Sequence, residues 1–289
     1  KSSRRFRSTG FSSRVLRTRR KLSYYAQEFK FADNASFKPF PYSVEILDTS
    51  YQNIYYQLSF ANNSEKPDSK KQAVCILELG KTKSKFFDFN SVKSDSLTKK
   101  YSVEKEITGK ELTAMLAYKT NWENVLIRDI QTKNIIFQDH ASKTFQYEGI
   151  QPELKWNLEK ESKTILSYTC HKATTEYRGR KYTAWYTTDI PISSGPYIFE
   201  GLPGIILAIS DSKDHFNFTA IAMDKNPREI YLNNGKHIIK VSRDQFRKVQ
   251  KNYHSNPGFY INGGAYNADG TEVKVDPRYS KPYNPIELE

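Results

Sequence analysis

The feature that most constrains this chain is an alternation of period two that recurs along its length. In NIYYQLSF (residues 53–60), Ile54, Tyr56, Leu58 and Phe60 fall on one side, and Asn53, Tyr55, Gln57 and Ser59 on the other. Successive side chains of a strand point to opposite faces, so this segment reads as a strand with one buried face. AVCILEL repeats the pattern with Ala73, Cys75, Leu77 and Leu79 on one face, which places Cys75 in the core. A basic stretch from Lys81 to Lys85 then turns into Phe86, Phe87 and Phe89. ENVLIRDI and NIIFQDH, parted by Gln131, Thr132 and Lys133, predict a hairpin. ELKWNL predicts a strand with Leu154, Trp156 and Leu158 on one face. Residues 165–187 predict a second hairpin turning at Arg178-Gly179-Arg180. On its return strand Tyr182, Ala184 and Tyr186 share a face, and Trp185 points the other way. GIILAIS and HFNFTAIA predict a third hairpin across Asp211 to Asp214.

Helical signals are few. Thr108-x-x-Glu111 and Ser242-x-x-Gln245 are capping boxes, the first followed by Leu112, Met115 and Leu116, the second by Phe246, Val249 and Tyr253. Residues 256–289 are rich in Gly, Pro, Asn and Tyr and read as ordered loop. The expected fold is mainly β: an antiparallel sheet of some eight to twelve strands, curled into a barrel or half-barrel, with two or three short helices. Residues 41–289 read as a single β-rich unit, 24–40 as a linking segment and 1–23 as a basic arm.

Charge supports that division. The net charge is +13, but residues 1–21 carry nine Lys/Arg and no acid, which leaves +4 on the remaining 268 residues. The arm (Arg4, Arg5, Arg7, Arg14, Arg17, Arg19, Arg20) has too little apolar surface to fold alone. It reads either as a flexible leader or as an electrostatic docking segment for an acidic partner or an anionic lipid surface. Phe6, Phe11, Tyr24 and Tyr25 offer stacking surfaces, but a nearly balanced body makes nucleic acid a poor expectation. Aromatics make up 14% of the chain, too many for a disordered protein. The longest apolar run, near GLPGII, falls far short of the about 20 residues of a membrane-spanning helix.

PISSGPYIFEGLPG, residues 191–204, holds six of the chain's 25 Gly and Pro residues. Pro fixes φ and Gly permits φ > 0, so such a run specifies one backbone path between two strands, with Tyr197 and Phe199 packed inside it. It reads either as a shaped binding loop or as a structural crossover closing one end of a barrel.

The surrounding residues resemble the GLPGLI family, exported proteins of Bacteroidota with no assigned function. The resemblance rests on Arg178-Gly179-Arg180, on Ala184-Trp185-Tyr186-Thr187, and on Ile190-Pro191 and Gly195-Pro196. It continues through Gly201-Leu202-Pro203-Gly204-Ile205-Ile206 and the closing YNPIELE, with Ile205 standing where the family name has Leu. It implies export to the periplasm or outer membrane with the signal peptide removed, which fits a chain that opens at Lys1. It also implies association with TonB-dependent outer-membrane receptors. It supplies no catalytic residues.

Enzymatic signatures are absent: there is no GxSxG, HExxH, CxxC or GxGxxG, and no Lys-Ser/Thr follows Gly204 to make a phosphate loop. Glu176, Asp189, Glu200 and Asp211 would serve a hydrolase only if two of them converge within about 5–10 Å. The five His are scattered; a folded site from His140 and His171 is the one metal option, and no cofactor is expected. A Cys75–Cys170 bridge is left open. Asp95-Ser96-Leu97 matches a short O-glycosylation pattern of exported Bacteroidota proteins.

The leading expectation is a non-enzymatic envelope accessory protein that binds an outer-membrane or periplasmic protein, such as a TonB-dependent transporter, or a peptide. The contact would use Arg178, Gly179, Arg180, Trp185, Tyr186 and the loop positions Pro191, Gly195, Pro196, Gly201, Leu202, Pro203 and Gly204. The alternatives are a periplasmic carrier of a lipid, glycan or metal, and a carboxylate-dependent hydrolase.

Overall fold

The computed structural model describes residues 31–255, 265–266, 272–273 and 281–289. The basic arm lies outside the described residues, as does most of the loop expected over 256–289. The first elements are β1 (Ser36–Phe37), the long β2 (Val44–Ala61), β3 (Lys70–Gly80) and β4 (Lys83–Asp88). Then come α1 (Asn90–Tyr101), β5 (Ile107–Thr108), α2 (Gly109–Leu116), β6 (Val125–Asp129), β7 (Asn134–Ala141) and β8 (Lys143–Ile150). The second half holds β9 (Asn157–Ile165), β10 (Tyr168–Tyr177), β11 (Arg180–Thr187), β12 (Ile205–Asp211), β13 (Phe216–Asp224) and β14 (Glu229–Asn233). β15 (Ile239–Lys240), α3 (Arg243–Ser255), β16 (Ala265–Tyr266) and β17 (Glu272–Val273) complete the described elements.

Thirteen strands form one sheet in the order β15-β8-β7-β6-β4-β3-β2-β13-β12-β11-β10-β9, with β14 also paired to β2. That is slightly more than the eight to twelve expected. Every pairing in it is antiparallel except β15 with β8. Among the described residues the two ends of the sheet do not pair, so of the two expected forms it is the open one. Register shifts interrupt the pairings of β2 with β3 and β13, of β10 with β9, and of β11 with β12. Such bulges raise twist and let a wide sheet curl.

The three expected hairpins form. β6 and β7 pair across 130–133, β10 and β11 across Arg178-Gly179, and β12 and β13 across 212–215. Arg178 and Gly179 both have positive φ (46° and 75°), the two-residue turn that matches strand twist. Leu166 and Ser167 (48° and 70°) make a similar turn between β9 and β10 without glycine, which left no trace in composition. The strand expected at ELKWNL does not form before Asn157. Leu154 and Trp156 pack partly against the core from an irregular segment, and Leu158 is exposed.

Both capping boxes form. Thr108 accepts from the Glu111 amide and Glu111 answers the Thr108 amide, while Ser242 and Gln245 repeat the exchange at α3. α1 is the helix that patterning missed. It buries no residue fully and has no side-chain N-cap, so it carries no amphipathic signature. With α2 and β5 it forms a small satellite core of Ile107, Leu112 and Met115, packed by Phe31, Phe37, Leu97 and Tyr101.

The main core fills the concave side of the sheet. Ile54, Tyr56, Leu58 and Phe60, the alternating set of β2, are all buried there. Cys75 and Cys170 are buried free thiols, so the bridge left open is not made. Among the described residues no helix is long and apolar enough to cross a membrane.

Candidate functional site

The Gly/Pro loop between β11 and β12 fills the middle of the curl. Tyr197, Ile198, Phe199 and Leu202 are buried, whereas Pro191, Ser193, Gly201 and Pro203 face solvent. Gly195, Pro196 and Gly204 are buried with the aromatics. The Tyr197 ring lies 5.9 Å from Trp122 and 6.3 Å from Phe137 of β7, on one arm of the sheet. Phe199 lies 4.6 Å from Tyr182 of β11 and 6.2 Å from Tyr177 of β10, on the other. Polar anchors pin the path: Gln151 donates to the Ile198 carbonyl (2.6 Å), and the Trp156 indole donates to the Glu200 carbonyl (2.8 Å). The large side chains of the loop are therefore a plug in the core, and only its rim is open to a partner.

The arginine turn grips the other end of the chain. Arg180 is 95% buried and its guanidinium donates to Asp211 (3.0 Å), to the Asn284 side chain (2.6 Å) and to the Pro285 carbonyl (2.7 Å). The Arg178 carbonyl accepts from the Leu288 amide (3.0 Å), and the Tyr182 hydroxyl donates to the Ile286 carbonyl (3.1 Å). Glu287, buried, accepts from the hydroxyls of Tyr177 (2.9 Å) and Tyr197 (2.8 Å) and from Arg243 of α3 (2.5 Å). Residues 281–289 thus form a strap bound by the motif residues. Trp185, partly buried on the opposite face, carries the Lys163 ammonium 4.2 Å above its ring, and Tyr186 is buried beside His171.

Between strap, α3 and sheet lies a cavity of about 400 Å³. Its walls are aromatic: Trp122, Phe137, Tyr147, Tyr197, Phe216 and Phe246 all line it. Phe137 and Tyr147 stack at 4.8 Å, and Phe246 of α3 closes on Tyr147 at 5.7 Å. Polar side chains share the lining, among them Lys71, Asn121, Asn124, Asp139, Arg247 and Gln250. The Trp122 indole N–H is buried and has no hydrogen-bond partner among the described residues. Asp139 accepts from the His140 amide (2.7 Å) and from Gln250 (3.2 Å). Burial lifts the Asp139 carboxyl to about 7; the His140 amide opposes this and the nearby charge of Glu123 adds to it. Asn124 and Gln250, both partly exposed, stand on the rim.

Of the carboxylates singled out in the sequence, Glu176 and Asp211 line one hollow. Asp211 is spent on Arg180 and on the Phe216 amide (2.7 Å). Glu200 faces Arg128 and Lys133 at 3.7 and 3.5 Å, in a different hollow from that lined by Glu176 and Asp211. Asp189 is exposed. Among the described residues no group of three His, Cys, Asp or Glu is placed to hold a metal. Ser96 of the DSL pattern is exposed on α1, while Asp95 accepts from the Tyr231 hydroxyl (2.6 Å).

Sequence reasoning missed the cavity. Trp122, Asp139 and Tyr147 come from separate segments that no spacing links to α3, where Phe246 and Gln250 stand four residues apart on one face. The one signal was YNPIELE, whose Asn284 and Glu287 turn out to be the groups that the motif residues hold.

No curated protein matches the chain. Two solved structures of PNGF-II, in the P21 and C2 space groups, resemble it at 14% and 16% identity, with TM-scores of 0.49 and 0.48. Each match covers 72% of this chain, which spans 34% of the length of those structures. Residues 175–208, which hold the arginine turn and the loop, match a Bacteroidota-type family described as protein of unknown function (Porph_ging).

Proposed function

We propose that this protein is a non-enzymatic binding protein that carries a small glycan-class ligand in the aromatic cavity beneath the strap. The observation that carries the reading is a buried indole N–H with no hydrogen-bond partner among the described residues, on a cavity whose lining combines aromatic rings with polar side chains. A sugar ring offers apolar C–H faces for such walls and hydroxyls for a few directed polar groups. Here those groups are the Trp122 N–H as donor, Asp139 as acceptor, and the amides of Asn124 and Gln250 at the mouth. A lipid tail would leave the Trp122 N–H without a partner. The size, about 400 Å³, suits one or two sugar rings.

Trp122 is its own reporter. Titrating mono- and disaccharides against the full chain should shift tryptophan fluorescence saturably. Gln250→Ala, at the rim, should weaken the response about tenfold, the loss of one or two directed hydrogen bonds. A panel that leaves fluorescence and native mass unchanged would overturn the reading.

A second reading is an envelope protein partner, in the periplasm or at the outer membrane, docked on the loop rim. It is favoured by the exposure of Pro191, Ser193, Gly201 and Pro203 on a backbone path pinned from behind. Ser193→Arg and Pro203→Arg should abolish recovery of one defined protein from envelope membranes. Equal recovery with both variants, or no defined partner with the wild type, counts against it.

A further inference from the structure

On the outer side of the loop, Arg128 of β6 lines a separate cavity of about 270 Å³ with Ser84, Gln151, Ser193, Ser194 and Glu200. Arg128 is 97% buried, and burial pushes its pKa down. A buried guanidinium stays protonated, so its charge and its donors need partners. The contacts present are long: Nη1 is 3.4 Å from the Ser194 hydroxyl and 3.7 Å from Glu200. Glu200 also faces Lys133 at 3.5 Å, so its charge is shared. Nε and Nη2 have no hydrogen-bond partner among the described residues. These two nitrogens form one edge of the planar fork, with parallel N–H vectors that match the two oxygens of a carboxylate.

A second unmet group lines the same cavity. Gln151 is 92% buried, and its Nε2 donates to the Ile198 carbonyl at 2.6 Å. That bond fixes the amide orientation, since a carbonyl cannot donate, and leaves Oε1 as a buried acceptor with no partner among the described residues. A ligand that meets both must bring an anionic fork and a hydrogen-bond donor.

We propose that this cavity binds a small carboxylate that carries a donor beside the carboxyl group, an α-hydroxy or α-amino acid. Its carboxylate would lie along the Nε–Nη2 edge of Arg128, and its hydroxyl or ammonium would donate to Gln151 Oε1. The site uses the loop positions Ser193, Ser194 and Glu200 and shares no residue with the aromatic cavity, so it stands or falls independently of the glycan reading.

The test is calorimetric titration of the full chain with glycolate, glycine, acetate and inorganic phosphate. Glycolate or glycine should bind saturably and raise the melting temperature, with acetate about tenfold weaker for want of the donor. Arg128→Met replaces a buried charge by an apolar chain of similar length and should fold while losing binding; Arg128→Lys keeps the charge without the fork and should weaken binding at least tenfold. Gln151→Leu should erase the preference for glycolate over acetate. The proposal is overturned by absence of saturable binding to the wild type, by unchanged binding in Arg128→Lys, by a preference that survives Gln151→Leu, or by phosphate binding more tightly than either acid.

Discussion

At the scale of single residues, the GLPG segment separates two demands on glycine that sequence alone merges. A Cβ at Gly204 would sit 1.9 Å from the Thr187 carbonyl oxygen, which is backbone and cannot step aside. At Gly201 the obstacle is conformational: φ is +98°, while the nearest atom, Trp156 Nε1, leaves 3.5 Å of room. Gly201→Ala should therefore cost about 1–2 kcal/mol, and Gly204→Ala clearly more, because the strands must part. Urea unfolding of the two variants checks the order; equal losses would show that the close approach at Gly204 does not matter. Asp139 yields a pH prediction. Its folded pKa, about 7, lies above the ordinary value, so the carboxyl favours folding only while protonated. Stability should fall as pH rises from about 4 to about 7 and then level off, by up to about 4 kcal/mol in all. Asp139→Asn removes that penalty, and its advantage over the wild type should open across the same window. A variant with the same pH profile as the wild type would place the titrating group elsewhere.

At the scale of elements, the strap and the loop form one unit, because Tyr177 of β10, Tyr197 of the loop and Arg243 of α3 converge on the single carboxylate of Glu287. Glu287→Gln keeps the shape but removes the charge that both hydroxyls and the guanidinium donate to. The expected loss is about 2 kcal/mol, less than for a wholly buried pair because Arg243 is partly exposed and can turn to water. Denaturant titration reads it, and no change would mean that the strap is held by its backbone contacts alone. How much of this was legible follows from range. Period-two runs gave the strands and hairpins, since alternation is a local property, and capping boxes gave α2 and α3 for the same reason. ELKWNL alternated but met the loop instead of a strand, and the Trp156 indole took a loop carbonyl. α1 has no apolar stripe and was invisible. The cavity was invisible for a different reason: Trp122, Asp139 and Phe246 are brought together by curling, which no window of sequence records.

At the scale of the whole molecule, the fold has two bodies of apolar contact of very unequal size. The main core joins strands from both arms of the sheet through the loop, whereas the satellite core rests on Ile107, Leu112 and Met115 with a few partly buried neighbours. β1 and β5 pair only with each other, outside the main sheet. α1 contributes no fully buried side chain. Opening that satellite exposes little apolar surface and breaks few strand pairings, so it should occur well below the free energy of global unfolding. Native-state hydrogen exchange should find the amides of α1 and α2 opening first, with those of β2, β12 and β13 exchanging only through global unfolding. Leu112→Ala sharpens the test. Truncating this buried leucine costs about 2–5 kcal/mol locally, enough to populate the open satellite. If the satellite is a separate unit, α1 and α2 exchange faster while β2, β12 and β13 keep their protection. If the variant instead lowers protection by the same amount everywhere, the molecule unfolds as one body and the division is wrong.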